Sequence, residues 1–174
     1  MQPKLFQTSI ALYVIEEWDG LNLSGIIPES NMILVRADEC APFTAGKVAL
    51  PDEVRENHTL ASETGVIIAI GSQAFKYTLD GRRWPDDDPR KPKPGDRIWF
   101  KRYSGSELNG FDKRLYRLMN DSLMGARFDT THMPVIEWPT DVEIHAIEYP
   151  PWLQAAAVNT VGAEISIGEE VSNG

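Results

Sequence analysis

The side chains best suited to covalent or metal chemistry are few: the lone thiol of Cys40, the serines of Ser104-Gly105-Ser106, the carboxylates of Asp86-Asp87-Asp88, and His58, His132 and His145. A cysteine nucleophile needs a neighbour that stabilises its thiolate. None of the histidines is near Cys40 in sequence, so it reads as a plain loop cysteine, and a single cysteine has no mate for an intramolecular disulfide. The serines lack the G-x-S-x-G elbow and a nearby histidine, which argues against a serine hydrolase. The aspartate run could attract a divalent ion, but it lacks the turn glycine and distal glutamate of an EF-hand loop and reads as a solvated charged tip. The histidines are scattered without ligand spacing, so no zinc site is expected. Neither G-x-G-x-x-G nor G-x-x-x-x-G-K-[ST] occurs, which removes support for a bound nucleotide. The expectation is a protein that works by binding, with no enzymatic activity, metal or cofactor.

A formal charge of −9 repels phosphate backbones and anionic membranes unless cations cluster. The longest basic cluster, Arg90-Lys91-Pro92-Lys93, is short, so neither nucleic acid nor a membrane is an expected partner. No run approaches the roughly 18 apolar residues of a spanning helix, and the N-terminus lacks the order of a secretory signal. The expected setting is the cytoplasm, and unpaired Cys40 agrees with a reducing compartment.

The elements that carry these residues are short β segments punctuated by glycine and proline, with almost no apolar spacing at the helical period. Segments 31–37 (NMILVRA), 65–70 (GVIIAI), 96–103 (DRIWFKRY), 115–119 (LYRLM) and 123–128 (LMGARF) read as strands. Such a set suits a small all-β barrel, in which closure hides strand edges. Three stretches stand outside it. Residues 39–63 read as a long polar loop, of the kind that usually serves binding or stays disordered. Residues 71–95 hold Asp80-Gly81, a hairpin signal, and then the acidic run, so they read as a projecting hairpin with a charged tip. The ends, 1–30 and 130–174, carry Trp18, Trp138, Trp152 and the patch Val142-Glu143-Ile144-His145-Ala146. That content is too apolar for solvated tails, so the ends are expected to pack on something, as arms flanking a 31–129 barrel.

Within the long loop, Thr44-Ala45-Gly46-Lys47-Val48-Ala49-Leu50-Pro51-Asp52 sets three apolar residues between a glycine and a proline. The triplet is either an ordinary edge strand or a tip that docks on a partner.

This stretch resembles the mobile loop of the chaperonin-10 co-chaperonins, of which the bacterial co-chaperonin of the large GroEL chaperonin is the type. The family form is TAGG, an Ile-Val-Leu triplet, then a proline or small residue. Thr64-Gly65-Val66-Ile67-Ile68-Ala69-Ile70-Gly71 is similar to the family's GEVVAVG strand. Lys93-Pro94-Gly95-Asp96-Arg97-Ile98-Trp99-Phe100-Lys101-Arg102-Tyr103-Ser104-Gly105-Ser106-Glu107-Leu108 follows its VGD-strand-YSGTE segment, and 114–127 matches its closing strands loosely. The resemblance implies an irregular GroES-like β-barrel with a long mobile loop, a roof hairpin at 71–95 and β-rich terminal arms. It also implies a self-assembled ring, seven copies in the type, that caps a GroEL-type chaperonin and assists folding while the chaperonin binds the ATP. Gly46, Lys47, Val48, Ala49, Leu50 and Pro51 would then form the chaperonin-binding site, with Gly46 supplying a special backbone turn and Pro51 narrowing the unfolded ensemble. Extensions at both ends suit a divergent member, a phage-encoded one included. The alternative is a structural protein, such as a virion component, whose arms hold the barrel to virion proteins.

Two departures bear on strength of binding. Ala49 stands where the family has a larger aliphatic, a loss of roughly 1 to 1.5 kcal/mol per contact if buried, multiplied across tethered copies. Phe43 or Val54 could compensate, the partner's groove could differ, or binding is weak. Lys47 stands where the family has its second glycine.

Overall fold

The computed structural model describes residues 4–9, 11–78 and 80–138. In chain order its elements are β1 Lys4–Gln7, β2 Leu12–Ile15, β3 Met32–Ala37, β4 Glu39–Cys40, α1 Asp52–Leu60, β5 Thr64–Ile70, β6 Arg97–Phe100, β7 Ser106–Asn109, β8 Leu115–Asn120, β9 Met124–Arg127 and β10 Ile136–Glu137, with a 3-10 turn at Asp121–Leu123. The strands form two antiparallel sheets, one in the order β7-β8-β3-β5-β6-β9 and one in the order β10-β1-β2-β4. Each of the segments expected as a strand is one, and together they are neighbours in the larger sheet.

Alternation along β3, β5 and β8 buries side chains on both faces of that sheet. Ile33, Val35, Ile67 and Met119 join Ile98, Phe100, Ala74 and Phe75 on one face. Leu34, Val66, Ile68 and Tyr116 lie on the other, where Trp18 and Ile26 pack against them. The segment ahead of β3 therefore roofs one sheet face. A bulge between Leu34 and Val35 shifts the register, from Leu34 opposite Ala69 to Val35 opposite Ile67. The glycines bracketing β5 are fixed by crowding. A Cβ on Gly65 would stand 2.4 Å from the Arg36 carbonyl oxygen, and one on Gly71 2.3 Å from that of Ser30.

Charges inside this fold are paired. Arg97 and Asp38 are both nearly inaccessible and bonded to each other, and the Thr64 hydroxyl donates to Asp38 at 2.6 Å. Arg117, fully buried, donates to the Leu60 and Ser104 carbonyls and pairs with Glu107 at 3.1 Å.

The smaller sheet has its own core of Leu5, Leu12, Val14, Ala41 and Phe43, with Trp138 packed against it. The expectation that the ends pack holds for 4–15 and 136–138. Trp152 and the patch 142–146 lie outside the described residues. The roof hairpin is also present: Tyr77 bridges Arg83, and the Thr78 amide donates to the Arg82 carbonyl at 2.7 Å. Its turn is Asp80-Gly81, so the acidic run follows the hairpin rather than forming its tip. There Asp88 pairs with Arg90 at 2.8 Å and Asp86 with Lys91 at 3.0 Å.

The sequence reading of 39–63 as an unstructured loop is corrected. It holds β4, a bridge between Phe43 and Ala49 and α1. Nothing between Asp52 and Glu63 breaks a helix, Pro51 precedes the first turn at φ −58°, and Asp52 and Glu53 complement the helix N-terminus. No side chain of α1 is buried, so it leaves no apolar stripe for a periodicity search to find.

Candidate partner-docking loop

Residues 42–50 form a hairpin. The Leu50 amide donates to the Pro42 carbonyl at 2.8 Å, Thr44 to Val48 at 2.9 Å, and Lys47 to Thr44 at 2.8 Å. The Thr44 hydroxyl also accepts from the Val48 amide at 3.3 Å. These bonds turn the chain over Ala45-Gly46 and leave Lys47 in the left-handed region at φ 62°. The backbone freedom expected of Gly46 is thus demanded of Lys47 instead, the position of the family's second glycine.

Gly46, Lys47, Val48 and Ala49 are exposed, Val48 at 63%. Leu50 is half-buried and lines a cleft with Gln7, Ala11, Leu12, Phe43 and His58. Pro51 is exposed and opens α1. Of the residues that could offset Ala49, Phe43 is 1% exposed and is held edge-on against Trp138 at 5.0 Å, so it cannot face a partner. Val54 is 36% exposed on α1.

Two supports were not legible in the sequence. The Tyr13 hydroxyl donates to the His58 carbonyl at 3.0 Å, and the Cys40 amide donates to the Thr59 hydroxyl at 3.0 Å, so β2 and β4 hold α1. Thr44, a hydroxyl at the start of a turn, is a signal that could have been read.

Beneath α1, burial pushes Glu39 up to about 7, with Arg114 pulling it down and Glu16 pushing it further up. Burial likewise pushes the Cys40 thiol up to about 11, the reverse of what a nucleophile needs. Among the described residues no group of three or more His, Cys, Asp or Glu is placed to hold a metal ion, and no helix is long and apolar enough to cross a membrane. The site offers apolar contact from an exposed tip, with no reactive group.

The profile of the family described as Chaperonin 10 Kd subunit matches residues 25–126. The chain belongs to the chaperonin-10 family. Among chaperonin-10 relatives, it is similar to the co-chaperonin GroES of Pelagibacter ubique, 31% identical over 99 residues that cover 56% of this chain and 92% of the relative. Co-chaperonin GroES 3 of Mesorhizobium japonicum is 37% identical over 91 residues, 51% of this chain and 83% of its own. Co-chaperonin GroES of Corynebacterium jeikeium is 33% identical over 86 residues, 48% and 74%. The chaperonin-10 match takes in β3 to β8, most of β9 and the 42–50 hairpin. It leaves β1, β2 and β10 outside.

Proposed function

We propose that the protein is a co-chaperonin whose copies assemble into a ring and cap a GroEL-type chaperonin, assisting folding in the cytoplasm without chemistry of its own. Gly46, Lys47, Val48, Ala49, Leu50 and Pro51 are the docking residues of this reading. Residues 31–129 serve as the lid barrel, with 1–30 and 130–174 as additions to it. A ring of seven follows the family pattern. The observation that carries the assignment is an apolar side chain, Val48, exposed at 63% at the end of a hairpin in the family's loop position. A solvated valine gains about 1.5 kcal/mol or more on full burial, and a ring presents several copies at once. The relatives named above are co-chaperonins and lend no support to a virion role.

The test is capture of a GroEL-type chaperonin by the purified oligomer, with and without ATP, beside a Val48→Asp variant. Val48 is exposed, so the substitution leaves the fold intact. Nucleotide-dependent binding that Val48→Asp abolishes is the expected result. Binding by the variant equal to that of the parent would sink the assignment of the loop.

A further inference from the structure

Two segments outside the family match, 4–15 and 136–138, converge on the docking hairpin. β2 pairs with β4, Tyr13 opposite Cys40 and Val14 opposite Glu39, and the Ala41 amide donates to the Leu12 carbonyl at 2.8 Å. One residue further, the chain enters the hairpin at Pro42 and buries Phe43. Phe43 shares its buried cluster with Leu5, Leu12, Val14 and Ala41, with Trp138 packed against it, and all of these but Ala41 come from 4–15 or 136–138. None of them belongs to either cluster of the larger sheet, so the barrel alone leaves Phe43 without an apolar seat. The chain that leaves the hairpin is anchored from the same side, since Tyr13 donates to the His58 carbonyl in α1, and Leu50 faces a cleft lined also by Leu12 and the β1–β2 turn.

We infer that segments 4–15 and 136–138 form a clamp that holds the entering limb of the docking hairpin and the helix that follows its exit, and so presents Val48 to the partner already shaped. The inference rests on the docking-loop reading given above. Its physical sense lies in the Ala49 departure. A tip with a smaller apolar surface gains less on binding, and a loop ordered beforehand loses less conformational entropy when it docks. The clamp offsets a weaker contact with a smaller ordering cost.

The test compares the full chain with Trp138→Ala, which removes the ring against Phe43, and Tyr13→Phe, which removes one hydrogen bond and no packing. Hydrogen exchange is followed at the amides of Thr44, Lys47, Val48 and Leu50, and at Arg55 and Ala61 in α1. Binding to a GroEL-type chaperonin with ATP is measured in parallel. Trp138→Ala is expected to speed exchange at the hairpin amides about tenfold and weaken binding several-fold, with β3, β5 and β8 unchanged. Tyr13→Phe is expected to speed exchange in α1. Unchanged hairpin exchange in Trp138→Ala, or faster exchange with binding equal to or tighter than the parent's, overturns the clamp. Val48→Asp reads the docking assignment alone. If it abolishes binding while Trp138→Ala changes nothing, only the clamp fails.

Discussion

Lys47 is the residue at which this chain differs most tellingly from its family. Its φ of 62° is a conformation that costs a residue with a Cβ about 1 kcal/mol and glycine very little. Lys47→Gly should therefore stabilise the folded hairpin by a few tenths to about 1 kcal/mol, the gain being trimmed by the greater freedom of glycine in the unfolded chain. Slower exchange of the Thr44 and Leu50 amides would register it, and faster exchange would refute it. At this scale the candidate docking residues could be proposed from sequence because their types and order are a pattern in themselves. The seat of Phe43 was not, because its partners come from the two ends of the described chain and no local signal links them. The same burial removes one of the ways of making up for Ala49, since Phe43 is committed to the interior whereas Val54 on α1 is exposed.

Among the elements, α1 is the one whose existence depends most on polar anchors. It is nine residues long with no buried side chain, and helices this short are marginal on their own. Its C-terminal end is held by Arg117, whose guanidinium reaches the Leu60 carbonyl, the Ser104 carbonyl and Glu107. Arg117→Met keeps the bulk and removes every one of these bonds. It is expected to cost about 3 kcal/mol or more in denaturant unfolding and to release the α1 amides in hydrogen exchange. A variant as stable as the parent would show that α1 is held by something else. The strands that were read from sequence stood out because β3, β5 and β8 concentrate β-branched and aliphatic residues. The helix was missed because solvent-facing helices carry no apolar period, and because a run such as Asp52-Glu53-Val54-Arg55-Glu56-Asn57 resembles loop composition.

For the molecule as a whole, Glu39 ties stability to pH. Its pKa of about 7 in the folded protein, against an ordinary value near 4.5, means that the folded state binds more protons than the unfolded one between those limits. Stability from this group is therefore present in full below about pH 4.5, declines as pH rises to about 7, and is flat above. Arg36, Arg55 and Arg114 act against the shift and Glu16 with it. The acidic aspartates of the roof work in the opposite sense and at lower pH, Asp88 being held near 2 by Arg90. Thermal melts of Glu39→Gln should accordingly lose the decline between about pH 4.5 and 7 that the parent shows, and a parallel decline in both would exclude Glu39 as its source. The barrel was legible at this scale because the strand motifs occur in family order. The second sheet was not, since three of its four strands come from segments outside the family match.

That second sheet joins Lys4 to Glu137, so it is also a statement about order in time. The barrel strands are complete once Arg127 has left the ribosome, whereas β10 and Trp138 emerge after it. Closing so long a loop is entropically the most expensive pairing in the chain. A newly made subunit can therefore complete the larger sheet before β10 and Trp138 are there to join the smaller one.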